Sequence, residues 1–581
     1  MSVDLVTVGV VRGKLTYAAE EMGIALRKSA YSPNIKERMD HSCAIFDAKR
    51  RLVAQAEHIP VHLGSMIVAV QQGLASYRGD LEEGDMLLFN DPYISGTHLP
   101  DITLIAPVYY RGEVIAYVAN KAHHSDVGGK APGSMPGDSA ELFEEGIIVP
   151  PVKFVKKGRI DRELAEVILS NVRTPRERMG DLRAQVAANL LGIRRVIELA
   201  EKYGVERLEA AMEEIMAHSE RMMRRELEKI PDGVYRAEDY LESTGTSDDP
   251  VRIAVEVTVK GSCIKFDYTG TSPQVDGPVN APFGVTLAGV FYVMICVTDP
   301  SIPVNDGCYR PIEVHVPEGT LLNPRRPAAV CGGNVETSQR NVDVLFRALA
   351  QAVPDRVCAA GSGTMNNISV GGVDPESGEL WAFYETIGGG YGARPGLDGV
   401  DGVHVHMTNT MNTPIEAIEA QFPILFLSYK LREDSGGPGK WRGGCGIERS
   451  WKLLAPSATL SVLAERNKMR PWGLMGGLEG AAGEHLIVRR GRAIRLKSKC
   501  TVRLQKGDVL VVRTPGGGGY GSPLERSIEL VLKDVRNGLV SPEAARRHYG
   551  VAVDPRTLAV DYEETRKLRS REVSCLSKPL S

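Results

Sequence analysis

The stretch THLPDITLIAPVYYRGEVIAYVANKAHHSD, residues 97–126, decides how this chain is read. Two strand-length apolar runs, ITLIAPVYY and VIAYVAN, flank Arg111-Gly112, and two such runs on a short turn make an antiparallel hairpin. A turn centred between Arg111 and Gly112 sets His98 across from Ser125 and close to His123, so both histidine groups meet at the hairpin's open end. Successive side chains on a strand point to opposite faces, so His123 and His124 are not both ligands of one ion. In this register His123 shares a face with His98, and a one-residue slip would substitute His124. Asp101 falls on the other parity, and Pro100 is expected to hold it in an irregular loop where parity does not bind it.

Imidazole nitrogens with a carboxylate oxygen suit zinc, manganese or iron, and a catalytic site of this kind leaves a position for water. His98, Asp101 and His123 are the candidate set, with His124 as an alternative ligand or a supporting residue. The other reading is that these side chains only hydrogen-bond within loops. Asp91 and Asp126 are candidates for ligands or for orienting a histidine, although such aspartates more often serve turns or caps.

Outward from the hairpin, six of the twelve histidines (His41, His58, His62, His98, His123, His124) fall between residues 41 and 124. Pro60 interrupts the spacing of His58 and His62, which reads as structural. The run Glu37–Ser42 is surface pairing and capping, or an anion contact. Asn334–Ser338 opens a helix with Thr337 or Ser338 as cap. His404 and His406 share a face if extended. No G-x-S-x-G elbow is present, so serine hydrolase chemistry finds no support.

The 581 residues suggest about four units at roughly 150 residues per domain, or fewer and larger ones. A net charge of −3 disfavours a nucleic-acid binder that relies on bulk positive charge. The fold class expected is α+β, a large multi-lobed subunit with a helical arm and a β-rich C-terminal region. Residues 1–160 read as a mixed segment carrying the hairpin, opened by a helix over Val10–Ser32. Residues 161–230 are helical, 231–430 mixed, 431–524 β-rich, and 525–581 a helical tail. No signal peptide or membrane span is seen, and nine scattered cysteines without Cys-x-x-Cys suggest reduced thiols, so a cytoplasmic protein is expected.

Glycine, at 61 residues, is in excess. Gly516–Gly521 matches G-x-G-x-x-G, but the helix after it runs into more helix instead of the second parallel strand that a dinucleotide site requires. Gly436–Trp441 lacks the first glycine and the Ser/Thr of a P-loop, and Gly388–Gly392 reads as a turn, the other reading being a set of backbone amides presented to an anion. The chain shows no ATP site of its own.

The motifs SPNIKERMDHSCAIFD, HIPVHLGSM, FNDPYISGTHLPDITLIAPVY, KAHHSDVGG, GPVNAPFGVTLAGVFY, CGGNVETSQR and RTPGGGGYGSPLER, in this order, resemble the hydantoinase B family across essentially the whole chain. That family includes the B subunit of ATP-dependent N-methylhydantoinase, the C-terminal part of 5-oxoprolinase, and the α subunits of acetone and acetophenone carboxylases. The resemblance implies a partner, the hydantoinase A type ATPase subunit, which binds ATP-Mg and phosphorylates the substrate, while the B-type subunit completes the reaction at a divalent metal (Zn, Mn or Fe). In the acetone carboxylase relatives a His-x-x-Asp pair and a second His 25 residues after the first hold manganese, and His98, Asp101 and His123 reproduce both spacings. The implied function is hydrolytic ring opening of a cyclic amide, such as a hydantoin, 5-oxoproline or a lactam, in a hetero-oligomer. Asp126, Asn120 and Asp91 are then candidates for orienting water or ligands. The alternatives are a carboxylase, whose complex carries a third small subunit, and a non-catalytic partner that stabilises the ATPase.

Overall fold

The computed structural model describes residues 3–56 and 58–576. The first helix, Leu5–Ser29, is capped by Asp4, whose side chain accepts from the Thr7 amide at 2.9 Å. It ends three residues before the expected Ser32. Ala30 is extended, and Ser32 caps a short second helix, Pro33–Lys36, with Pro33 in its first turn.

Seven strands follow: β1 (His41–Asp47), β2 (Leu52–Ala56), β3 (Met86–Phe89), β4 (Asp101–Tyr110), β5 (Glu113–His123), β6 (Val152–Lys156) and β7 (Arg159–Ile160). They form one sheet in the order β2-β1-β5-β4-β3-β6-β7, which puts the β4–β5 hairpin at its centre. The sheet is covered on both sides, and the alternation of side chains divides the hairpin between two cores. Ile102, Leu104, Ala106, Val118 and Ala122 pack with the helices Leu5–Ser29 and Pro175–Tyr203. Ile105 and Ala119 belong to the other core, with the helices His62–Ser76, Phe283–Val297 and Ser338–Leu349.

The hairpin register departs from the expected one part-way along. Tyr110 faces Glu113 and Tyr109 faces Val114, as a turn between Arg111 and Gly112 dictates. A bulge then leaves Ile115 without a facing residue, so Val108 faces Ala116 and the shift carries on to Asp101, which faces His123. Asp101 is therefore the first residue of β4 rather than part of an irregular loop, and it lies on the face of His123. His98 precedes the strand and does not pair with Ser125.

The helices Pro175–Tyr203 and Val205–Leu227 are packed against this sheet rather than standing off it as an arm, through Leu182, Ala188, Val196, Leu208 and Met212. The strands Gly233–Leu241, Val251–Lys260, Cys263–Asp267 and Ile312–His315 make a four-stranded sheet. A second four-stranded sheet and a five-stranded one enclose an apolar core built from residues 368–512. The helices Ile528–Arg536 and Pro542–Tyr549 carry a small core of their own. The molecule is thus α+β and multi-sheet. No helix of the described residues is long and apolar enough to cross a membrane.

The glycine runs interlock. The amide of Gly437 donates to Gly517 O at 2.8 Å, Gly517 N to Gly444 O at 2.9 Å, Gly444 N to Tyr391 O at 2.9 Å and Ala393 N to Gly518 O at 2.9 Å. A Cβ on Gly517 would overlap the carbonyl of Tyr391, and one on Gly390 that of Gly444. Three chain segments cross at backbone-to-backbone distance, which only glycine permits. Amides bonded this way are not free to cradle a phosphate.

Candidate metal centre

His98 Nε2, Asp101 Oδ1 and His123 Nδ1 converge at the open end of the hairpin. The nitrogens are 3.1 Å apart, and each lies 3.3 Å from the Asp101 oxygen. All three residues are buried, and among the described residues they form the one cluster of His, Cys and carboxylate groups close enough to share an ion. Ligand atoms about 2.0–2.2 Å from a zinc-type cation sit about 3.0–3.5 Å from one another, so this triangle has the dimensions of one face of a coordination sphere.

The protons are set for that role. His98 Nδ1 lies 3.2 Å from the carbonyl oxygen of Cys331, and donating its hydrogen there leaves the Nε2 lone pair aimed at the cluster. Asp101 Oδ2 has no hydrogen-bond partner. Burial opposes ionisation of Asp101, yet His98, His123 and His62 together hold its carboxyl well below the usual carboxylate range. A buried carboxylate facing two imidazoles fits a cation, and these three residues are the ones that would hold it.

The β5 residues beside His123 build the support. Lys121, on the same face, donates to Ser95 O at 2.8 Å, Thr97 Oγ1 at 3.2 Å and Ser65 Oγ at 3.3 Å, and so ties down the loop that delivers His98. Its burial depresses the amine to about 7. The ring of Tyr384 stacks on His123 at 4.6 Å between centroids, nearly parallel at 10°. Its hydroxyl donates to Asn367 Oδ1 at 2.7 Å.

Four residues proposed from sequence are not brought to the cluster. Asn120 is on the opposite face of β5 and His124 follows its last residue, and Gln185 and Asn189 of the helix Pro175–Tyr203 engage them. Asn120 Nδ2 donates to Asn189 Oδ1 at 2.8 Å, Gln185 Nε2 donates to Asn120 Oδ1 at 2.8 Å, and His124 Nε2 lies 3.0 Å from Gln185 Oε1. Both side chains thus meet the helix Pro175–Tyr203 rather than the cluster. Asp126 accepts from the amides of Gly128, Gly133 and Arg173, each at 3.0 Å, and from the Arg173 guanidinium at 2.8 Å, a loop-closing role. Asp91 caps a short helix by accepting from Tyr93 N at 3.1 Å and pairs with Arg326.

Two further residues, His62 and Asp40, border the cluster. His62 Nε2 lies 3.7 Å from Asp101 Oδ2, and its Nδ1 lies 2.9 Å from the Ser42 hydroxyl. Asp40 accepts the His123 amide through its carbonyl at 3.0 Å, with Oδ2 4.0 Å from His123 Nδ1. Both come from segments distant in sequence, joined by the pairing of β1 with β5, where His41 faces Ala122. Nor does Thr337 cap its helix: Gly333–Thr337 is a π turn that buries Glu336.

The family profile of hydantoinase B/oxoprolinase matches residues 4–523. An uncharacterized protein of Methanocaldococcus jannaschii is 49% identical over 97% of this chain and 100% of its own length. The 5-oxoprolinase 1 of Arabidopsis thaliana is 39% identical over 89% of this chain, which spans 42% of that longer protein. In structure, the ATP-dependent caprolactamase from Pseudomonas jessenii superposes with a TM-score of 0.91 at 31% identity, over 98% of this chain and 100% of that one. A profile match over most of the chain and a full-length relative at this identity place the protein in the hydantoinase B/oxoprolinase family.

Proposed function

We propose that the chain is the B-type subunit of an ATP-dependent cyclic amide hydrolase, opening a hydantoin, oxoproline or lactam ring activated by phosphorylation on a hydantoinase A type partner. The observation that carries this reading is the buried triangle of His98, Asp101 and His123, with edges of 3.1 and 3.3 Å. The amides of the Gly516–Gly521 run, all bonded to backbone carbonyls, support placing ATP on another chain. So does the name of the caprolactamase neighbour, which is ATP-dependent.

His98, Asp101 and His123 are the residues that would hold a divalent cation, which when bound would supply a Lewis acid and lower the pKa of water near it. Asp40 flanks His123 with a carboxyl whose pKa burial raises, and it is placed to take the proton of the attacking water. His62 Nε2 faces the second oxygen of Asp101 at 3.7 Å. Water adds to the activated carbon, the ring C–N bond breaks with its electron pair leaving on nitrogen, and that nitrogen takes a proton. A second water releases the phosphate and leaves a carboxylate.

The test is reconstitution of the chain with its ATPase partner, ATP and a panel of cyclic amides, followed for ring-opened product and ADP. The proposal expects stoichiometric product that disappears on chelation and in Asp101→Asn. Steady ADP release without ring opening on every substrate would shift the assignment to a carboxylase, and product formation independent of metal would refute it.

A further inference from the structure

The two imidazoles of the cluster are held in different ways. His98 is fixed from behind by its Nδ1, 3.2 Å from Cys331 O. His123 faces the cluster with Nδ1, and its other nitrogen, Nε2, is buried with no hydrogen-bond partner. A ligand imidazole is ordinarily oriented by the hydrogen bond of its second nitrogen, so another contact has to orient this ring. That contact is the ring of Tyr384, 4.6 Å away between centroids and within 10° of parallel.

The plate is itself clamped. The Tyr384 hydroxyl donates to Asn367 Oδ1 at 2.7 Å, and on the other side stands Arg38, the arginine of the Glu37–Ser42 run, with Cζ 5.1 Å from the ring centroid. Arg38 Nη1 donates to the Tyr384 carbonyl at 3.3 Å, and Nη2 donates to Thr386 Oγ1 at 2.5 Å and Thr410 Oγ1 at 3.4 Å. Nη1 also donates to Asn34 Oδ1, and Asn34 Nδ2 in turn donates to the His123 carbonyl at 2.7 Å. Arg38 therefore reaches His123 by two routes, to the ring through Tyr384 and to the backbone through Asn34.

Arg38 is completely buried, and its carboxylate neighbour Asp40 stands 4.0 Å away. A buried guanidinium bonded mostly to neutral oxygens adds little to stability, since desolvation offsets its attractions. Its planar fork does fix several acceptors in one geometry, which a point charge cannot. We propose that Tyr384 and Arg38 are positioning residues for His123. The stacked ring sets the imidazole plane in place of a hydrogen bond, and Arg38 locks both the plate and the His123 backbone, so that Nδ1 points into the cluster with or without an ion. The inference rests on the reading of His98, Asp101 and His123 as a metal centre.

The test uses the full chain. Metal affinity is measured by competition with a chromophoric chelator, and the cobalt-loaded protein is followed by its visible absorption. Tyr384→Leu, which removes the plate, should weaken metal binding about 10- to 100-fold and shift the cobalt bands. Tyr384→Phe keeps the ring and should bind and absorb as the parent does. If Tyr384→Leu does not fold, Arg38→Gln carries the same expectation. Crystal structures of the metal-free proteins add a readout that needs no ion: the His123 ring should lie parallel to the ring at position 384 in the parent and in Tyr384→Phe, and should turn away in Tyr384→Leu and Arg38→Gln. A merely structural role would lower the melting temperature and leave affinity, cobalt spectrum and ring orientation unmoved, which overturns the proposal. A Tyr384→Phe variant as weak as Tyr384→Leu would assign the effect to the hydroxyl and overturn the stacking. A parent chain that binds no divalent ion defeats the metal reading instead, and the orientation of His123 in the metal-free structures then decides the positioning role alone.

Discussion

Two imidazole nitrogens 3.1 Å apart repel unless a proton or a cation lies between them, and the proton of His98 Nδ1 has its own acceptor in Cys331 O. Burying a carboxylate against such a pair is costly without a positive charge, and a cation held by the three residues, as proposed above, would supply it. His98→Ala or His123→Ala should therefore abolish metal content and lower ring-opening kcat/KM by more than about 100-fold, beyond what loss of a partner behind the ligands costs. Circular dichroism should stay native, and elemental analysis gives the metal. A second residue-scale consequence concerns Glu336, whose Oε1 accepts from Asn367 Nδ2 at 2.8 Å while Oε2 has no partner. Burial pushes its carboxyl up to about 8 from an ordinary 4.5. In the unfolded chain this group ionises near 4.5 and in the folded chain near 8, so between these values the unfolded state binds fewer protons and stability falls as pH rises. Glu336→Gln should flatten that fall, which is worth up to about 1.4 kcal/mol per pH unit, in thermal unfolding compared at pH 5 and pH 8. Identical slopes for variant and parent would show that Glu336 does not carry this proton.

At the scale of elements, the hairpin delivers the site and the helix Pro175–Tyr203 holds the hairpin. Asn120, Gln185 and Asn189 cross-link strand to helix, with Gln185 Nε2 reaching Ile102 O at 2.9 Å and Asn189 Nδ2 reaching Leu104 O at 3.1 Å. Removing one partner leaves buried polar groups unsatisfied, so Gln185→Leu should cost about 1–3 kcal/mol per orphaned group and lower the melting temperature of the full chain. An unchanged melting temperature would mean that water replaces the amide. How much of this was legible follows from the same hairpin. The turn at Arg111-Gly112 and the two apolar runs are local signals, so His98, Asp101 and His123 could be grouped from sequence. The bulge at Ile115 has no such signal, and the face of Asp101 could not be known without it. Nearness in sequence to His123 says nothing of the helix that Asn120 and His124 meet, so their partners Gln185 and Asn189 were not legible. Asp40 and His62 stayed hidden because only the pairing of β1 with β5 brings them in.

For the whole molecule, the glycine excess belongs to scaffolding: segments 388–392, 436–444 and 516–521 interlock through their backbones. Gly517→Ala should cost about 3 kcal/mol or unfold the C-terminal sheets, because its Cβ would meet a carbonyl that cannot yield. Gly13→Ala, in a helix with open space around it, should instead stabilise by up to about 1 kcal/mol. Thermal unfolding of both variants separates close packing from glycine content as such. The proposed division of labour is physical at this scale: the chain brings His98, Asp101 and His123 together, while the amides of Gly516–Gly521, the dinucleotide-like run, are all bonded to backbone carbonyls. The central claim is that His98, Asp101 and His123 hold a catalytic divalent ion, and metal titration of the chelated complex tests it most directly. The account predicts that ring opening is lost on chelation and returns in proportion to metal bound, saturating near one equivalent per chain, with none bound by His98→Ala. Full ring opening by the metal-free complex, or undiminished metal binding by His98→Ala, would contradict it.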